Sequence, residues 1–153
     1  MTHARQKIRE AIARLLAANP VAWKSVTESR IASTRQIWPY LMVFADGELS
    51  EQIDATDPGV YDRTVTINVA GMLKLPGTGD TYTIEDRMDE CAAEIETRLT
   101  QSALRAEVQI GTMALTSTGM EVILEDDGID HAEVILSYQI SYTTQEGLPG
   151  SFI

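Results

Sequence analysis

The stretch EVILSYQISYTTQ, Glu133 to Gln145, constrains the fold more than any other part of the chain. Val134, Leu136, Tyr138, Ile140 and Tyr142 fall on one side of an extended backbone. Glu133, Ser137, Gln139, Ser141 and Thr143 fall on the other, with Ile135 the exception. A period of two over this length specifies a strand with one face in a core and one facing outward. Such a strand needs strand partners and a covering layer, so the rest of the chain must supply both.

At 153 residues the chain is long enough to enclose one core, and one domain spanning 1–153 is expected. Residues 3–18 predict the first covering element. Ile8, Ala11, Ile12, Leu15 and Leu16 share one helical face, Thr2 is the expected N-cap, and Asn19-Pro20 stops the helix. Its polar face carries Arg5, Arg9 and Arg14 in a chain whose formal net charge is −11. Val21 to Ser33 predicts one short strand resting on Val26 and Ile31. Leu41–Ala45 predicts a buried strand that starts after Pro39 and ends at Asp46-Gly47. A polar connection, 46–59, follows, and VYDRTVTINVAGMLKL is the longest strand.

PGTGDTYT reads as a loop, and Thr83 with Asp86 as the cap of a second helix reaching about Leu99. Ile84, Met88, Cys91, Ile95 and Leu99 form its apolar stripe. VQIGTMAL and MEVILED predict two strands joined at Thr118-Gly119, and GLPGSFI a short tail whose Phe152 and Ile153 need a pocket. The expected fold is α+β, a mainly antiparallel mixed sheet with two helices packed on one face. The expected core comprises Ile12, Leu16, Val43, Val65, Ile67, Val69, Ile95, Leu99, Leu136, Tyr138 and Ile140.

Tests for chemistry give little. His3, at the start of the first helix, and His131, in a turn, lie in no zinc-ligand spacing, and the single cysteine, Cys91, excludes an intramolecular disulfide. Cys91 reads as a small core residue, with a reactive thiol the alternative. In the turn EDDGID, Asp126, Asp127 and Asp130 are either solvated or a weak divalent-ion site, because the turn does not match a calcium loop. Gly77 and Gly79 lack the third glycine of a dinucleotide loop, and no phosphate loop or nucleophile elbow is present. No catalytic residue, metal site or cofactor is expected, and no run of 18 apolar residues predicts a membrane span. The N-terminal stretch lacks a signal peptide's apolar core, which suggests a cytoplasmic context. The 23 acids against 12 Lys and Arg disfavour groove-binding to nucleic acid.

Taken in order, WPYLMVFADGELSE, YDRTVTINVAGMLKLPG, IEDRMDECAAEIETRL and DDGIDHAEVILSYQISY, preceded by a helix, resemble the tail terminator proteins of long-tailed bacteriophages, the lambda-type minor tail protein U family. The resemblance spans most of the chain and rests on structural motifs. It implies a non-enzymatic virion protein: a homohexameric ring that terminates tail-tube polymerisation and forms the head-binding surface at the top of the tail. The implied partners are further copies of the chain, the major tail-tube protein and a head-completion or connector protein. The resemblance further implies that DNA passes through the ring without specific binding, that no membrane is involved, and that the protein resides in the virion tail after assembly in the host cytoplasm. The alternative is a head–tail joining protein, a neck or connector adaptor; a monomeric binding domain and a small enzyme also stay open. The expected interface residues are Arg5, Arg9 and Arg14 on the first helix, and Glu48 and Glu51 in the connection 46–59. Lys74, Thr78 and Asp80 in the loop 74–82, and Phe152 in the tail, complete the set.

Overall fold

The structure, a computed structural model, describes residues 1–31, 37–126 and 128–153. It is an α+β fold with, among the described residues, three helices, α1 (Ala4–Ala17), α2 (Ile84–Arg98) and α3 (Gln101–Glu107), and six strands. The strands are β1 (Ser25–Thr27), β2 (Tyr40–Asp54), β3 (Val60–Lys74), β4 (Met113–Ile123), β5 (His131–Gln145) and β6 (Leu148–Phe152). They form one sheet in the order β1-β2-β3-β5-β4, with β6 also on β5. Among the described residues, only the β1–β2 pair is parallel.

β5 is the spine. β3 pairs along its whole length, from Lys74↔His131 to Val60↔Gln145. On its other side β4 takes His131–Ile140 and β6 takes Thr144 and Gln145. Its alternation is borne out: Val134, Leu136, Tyr138, Ile140 and Tyr142 all point into the main core. Every residue of the expected core is buried there, and Ile135 joins a smaller cluster on the opposite face with Tyr40, Met42, Ala70 and Met72.

All three helices contribute to the main core, so the helical layer has one member more than the sequence suggested. α3 is a single two-turn piece that follows α2 almost at once. The Thr100 hydroxyl caps it by accepting from the Ala103 N–H at 3.1 Å, and Leu104 is its buried anchor. Thr83 caps α2 as expected, accepting from the Asp86 N–H. The cap of α1 is His3 rather than Thr2: its Nδ1 accepts from the Arg5 N–H at 3.2 Å. Burial and the adjacent Arg5 cation lower the His3 pKa, which keeps that nitrogen available as an acceptor. α1 ends where expected, and Asn19 takes a left-handed φ of 51° before Pro20.

Four further expectations are corrected. The strand from Val21 shrinks to Ser25–Thr27, Ile31 is exposed, and residues 32 and 33 lie outside the described residues. What anchors that segment is Trp23, fully buried, whose indole N–H donates to the Leu16 carbonyl at 2.8 Å. The connection 46–59 is mostly strand. β2 runs on to Asp54, and Asp46-Gly47 marks a bulge between Ala45 and Gly47 rather than a turn. Thr118-Gly119 likewise is no turn: β4 passes straight through, bulging instead between Leu115 and Ser117. His131 is the first residue of β5, largely buried and edge-on to Trp38, instead of a turn residue.

Cys91 is fully buried, with its sulfur against Gly71. Burial, helped by Glu94, pushes its thiol up to about 12. Since the thiolate is the nucleophile, Cys91 in the native protein is expected to resist iodoacetamide at neutral pH and to react at the rate of unfolding. Mass spectrometry during a denaturant series checks this. Alkylation in native buffer as fast as that of free cysteine would contradict it.

Candidate assembly interface

The residues expected to meet partners divide sharply. Glu48 follows the bulge in β2, which turns its side chain to the helix-covered face. There the carboxylate is 8% exposed. One oxygen lies 3.2 Å from a guanidinium nitrogen of Arg5 and 3.2 Å from one of Arg63, and the other accepts from the Tyr142 hydroxyl. Burial and that carboxylate raise the Tyr142 pKa. Arg63 also donates to Thr144 Oγ1 at 2.8 Å and to Ser50 Oγ at 3.3 Å. This network ties α1, β2, β3 and β5 together within one chain. Arg5 is thus already paired internally, and Arg14 lies 3.6 Å from Glu107 of α3. Arg9 is half-buried, and its Nε has no hydrogen-bond partner among the described residues.

Phe152 also turns inward. Its ring meets that of Tyr142 edge-on at 5.7 Å, while Ile153 is exposed. The tail is therefore part of the sheet instead of a free arm. Lys7 Nζ donates to the Gly150 carbonyl at 2.6 Å, and the backbone of Thr2 presses on Gly150 so closely that a Cβ there would stand 2.2 Å from the Thr2 oxygen. Gly150→Ala is expected to push the start of α1 off β6 and cost about 1–3 kcal/mol. Faster amide exchange over the first turn of α1 is the readout, and unchanged exchange would refute the close contact.

Glu51, Lys74, Thr78 and Asp80 are exposed. Asp80 accepts from the Gly77 N–H at 2.7 Å and so shapes the loop before α2. Glu51 sits on an arm formed by the end of β2, where every residue from Leu49 to Asp54 is exposed. Leu49 and Ile53 are exposed on that arm. Asp130 accepts from the Glu125 N–H at 2.9 Å, so it too organises its turn, and Asp127 lies outside the described residues.

Sequence reasoning did not single out the sheet's two lateral margins. β1 covers only Tyr40–Met42, so among the described residues the outer edge of β2 beyond Met42 has no strand partner. β4 closes the other side. Its Leu115, Met120 and Val122 stand opposite Tyr138, Val134 and Ala132, on the helix-covered face, yet all three are exposed. Met113 packs against the core and its N–H donates to Gln101 of α3, but beyond it the helical layer leaves most of β4 exposed on both faces, and among the described residues its outer edge has no strand partner. Long exposed edges template pairing with another chain unless something covers them.

No protein-family model and no curated protein matches the sequence. Among solved structures, a chain described as "Virion of native gene transfer agent (GTA) particle" superposes with a TM-score of 0.61 at 9% identity. The match covers 92% of this chain and 98% of the other. The two chains share a fold. The shared fold extends over nearly all of both chains. No helix among the described residues is long and apolar enough to cross a membrane, and no group of three or more His, Cys, Asp or Glu among them is placed to hold a metal ion.

Proposed function

We propose that this chain is a non-enzymatic structural protein of a virion, and within that class a tail terminator. In this reading it is a subunit of a hexameric ring that ends tail-tube growth and offers the head its docking surface. The observation that carries the proposal is the fold shared over nearly its full length with a chain of a gene transfer agent virion. The resemblance of the ordered segments to tail terminators narrows the class. The two uncovered margins of the sheet suit a protein that works by contact with copies and partners. A head-to-tail ring requires two different patches on each subunit, on opposite sides, and the sheet has that form.

Deleting the gene from its particle and imaging the products tests the proposal. A terminator's loss gives tails of uncontrolled length that fail to join heads. Tails of normal length that fail to join heads would assign the chain to head–tail joining instead. Normal infectious or transducing particles would remove it from the structural set altogether.

A further inference from the structure

In a chain with a net charge of −11, three cations gather around one recess. Lys24, Lys74 and Arg87 line a hollow of about 270 Å³ between the segment before β1, the end of β3 and the start of α2. Arg87 lies over the Tyr82 ring, 4.4 Å from its centroid, and 3.3 Å from Glu90. The three cations therefore face one carboxylate in the lining. Leu73 and the 89%-exposed Val21 add apolar wall. The chemistry suits an occupant that is acidic and aliphatic at once.

The turn between β4 and β5 has that composition. Leu124 and Ile129 are 74% and 52% exposed, flanked by Glu125, Asp126 and Asp130. The Asp130 carboxylate receives the Glu125 N–H, which holds the two flanks of the turn together. Sheet order puts recess and turn on opposite lateral sides, β1/β2 against β4. Register puts both at one end: Lys74 pairs with His131, Ile123 pairs with His131, and Lys24 directly precedes the β1 residue that pairs with Tyr40 at the start of β2. A donor and an acceptor on opposite sides and at one level suit a closed rotation with no rise per subunit.

We infer that the β4–β5 turn of one copy docks in the Lys24–Lys74–Arg87 recess of the next, and that this is the ring contact. The inference rests on the ring reading above and supplies its interface. Docking covers Val21, Leu124 and Ile129 and brings the acidic turn beside the uncompensated cations, where opposite charge fixes register and excludes the reverse arrangement.

The test uses whole particles carrying charge-reversed chains. One variant is Lys24→Glu with Lys74→Glu, a second is Glu125→Lys with Asp126→Lys, and a third carries all four changes. All four side chains are exposed, so equal denaturation midpoints serve as the folding control. Each pair alone is expected to lower incorporation into particles by about tenfold, and the fourfold variant to restore it. In addition, Lys24→Cys combined with Asp126→Cys should give an oxidation ladder up to the hexamer, with buried Cys91 not competing. Normal incorporation of both paired variants, loss that the fourfold variant does not rescue, or no ladder would overturn this contact while leaving the ring reading intact. Wild-type particles whose tail top shows no ring would overturn the ring reading, and the contact with it.

Discussion

Replacing Glu48 with alanine is expected to lower the free energy of unfolding by about 3 kcal/mol. The reason is desolvation without compensation. Arg63 is 17% exposed and keeps its charge when its partner is gone, and the Tyr142 hydroxyl loses its acceptor in the same step. Arg5, 44% exposed, can turn to water and should contribute little. The diagnostic experiment is a double-mutant cycle with Arg63→Met in urea. Alanine at 48 should cost much less when position 63 is already apolar. Equal costs in both backgrounds would mean that the network is no more than a set of independent surface contacts.

Leu136→Ala is expected to cost about 2–5 kcal/mol. Leu136 has no exposed surface and sits on the middle of β5, between Val69 of β3 and Thr118 of β4. A packed site in mid-sheet cannot collapse around the lost atoms as an edge site can, which places it high in that range. The denaturation midpoint should fall with the slope unchanged. A shift close to zero would show that the side chain lies beside a gap and is not packed against its neighbours.

These two residues also mark what the sequence did and did not reveal. Leu136 was legible because burial on one face leaves a period of two, and β3 was legible for the same reason; the start of β2 was legible as a continuous apolar run, because both of its faces are covered. Glu48 was read as part of a polar connection exposed to partners. Its actual position depends on a bulge and on register with Arg63, and neither leaves a pattern in the local sequence. The arm was missed because its only apolar residues from Leu49 to Asp54, Leu49 and Ile53, are isolated among polar ones, and a ladder to β3 holds it without hydrophobic alternation. Gly119 was read as punctuation although β4 needs no turn there: the strand is exposed on both sides, so a glycine costs it little packing. α3 was hidden by its closeness to α2, since Thr100, its cap, follows the buried Leu99 that ends the α2 stripe. Cys91, the cap at Thr83 and the stop at Asn19 were legible because each depends on its own few neighbours.

The central position of β5 has a consequence for synthesis. β3 is made before β5, and β4 immediately before it, yet neither can reach its final place until β5 arrives to lie between them. The β2–β3 hairpin is able to form early, since its two strands are joined by a short turn. It then waits with Val65, Ile67 and Val69 uncovered while more than fifty residues, α2, α3 and β4 among them, emerge from the ribosome. Until β5 closes the sheet, the nascent chain displays an apolar surface and an open strand edge together, the combination that holdase chaperones recognise.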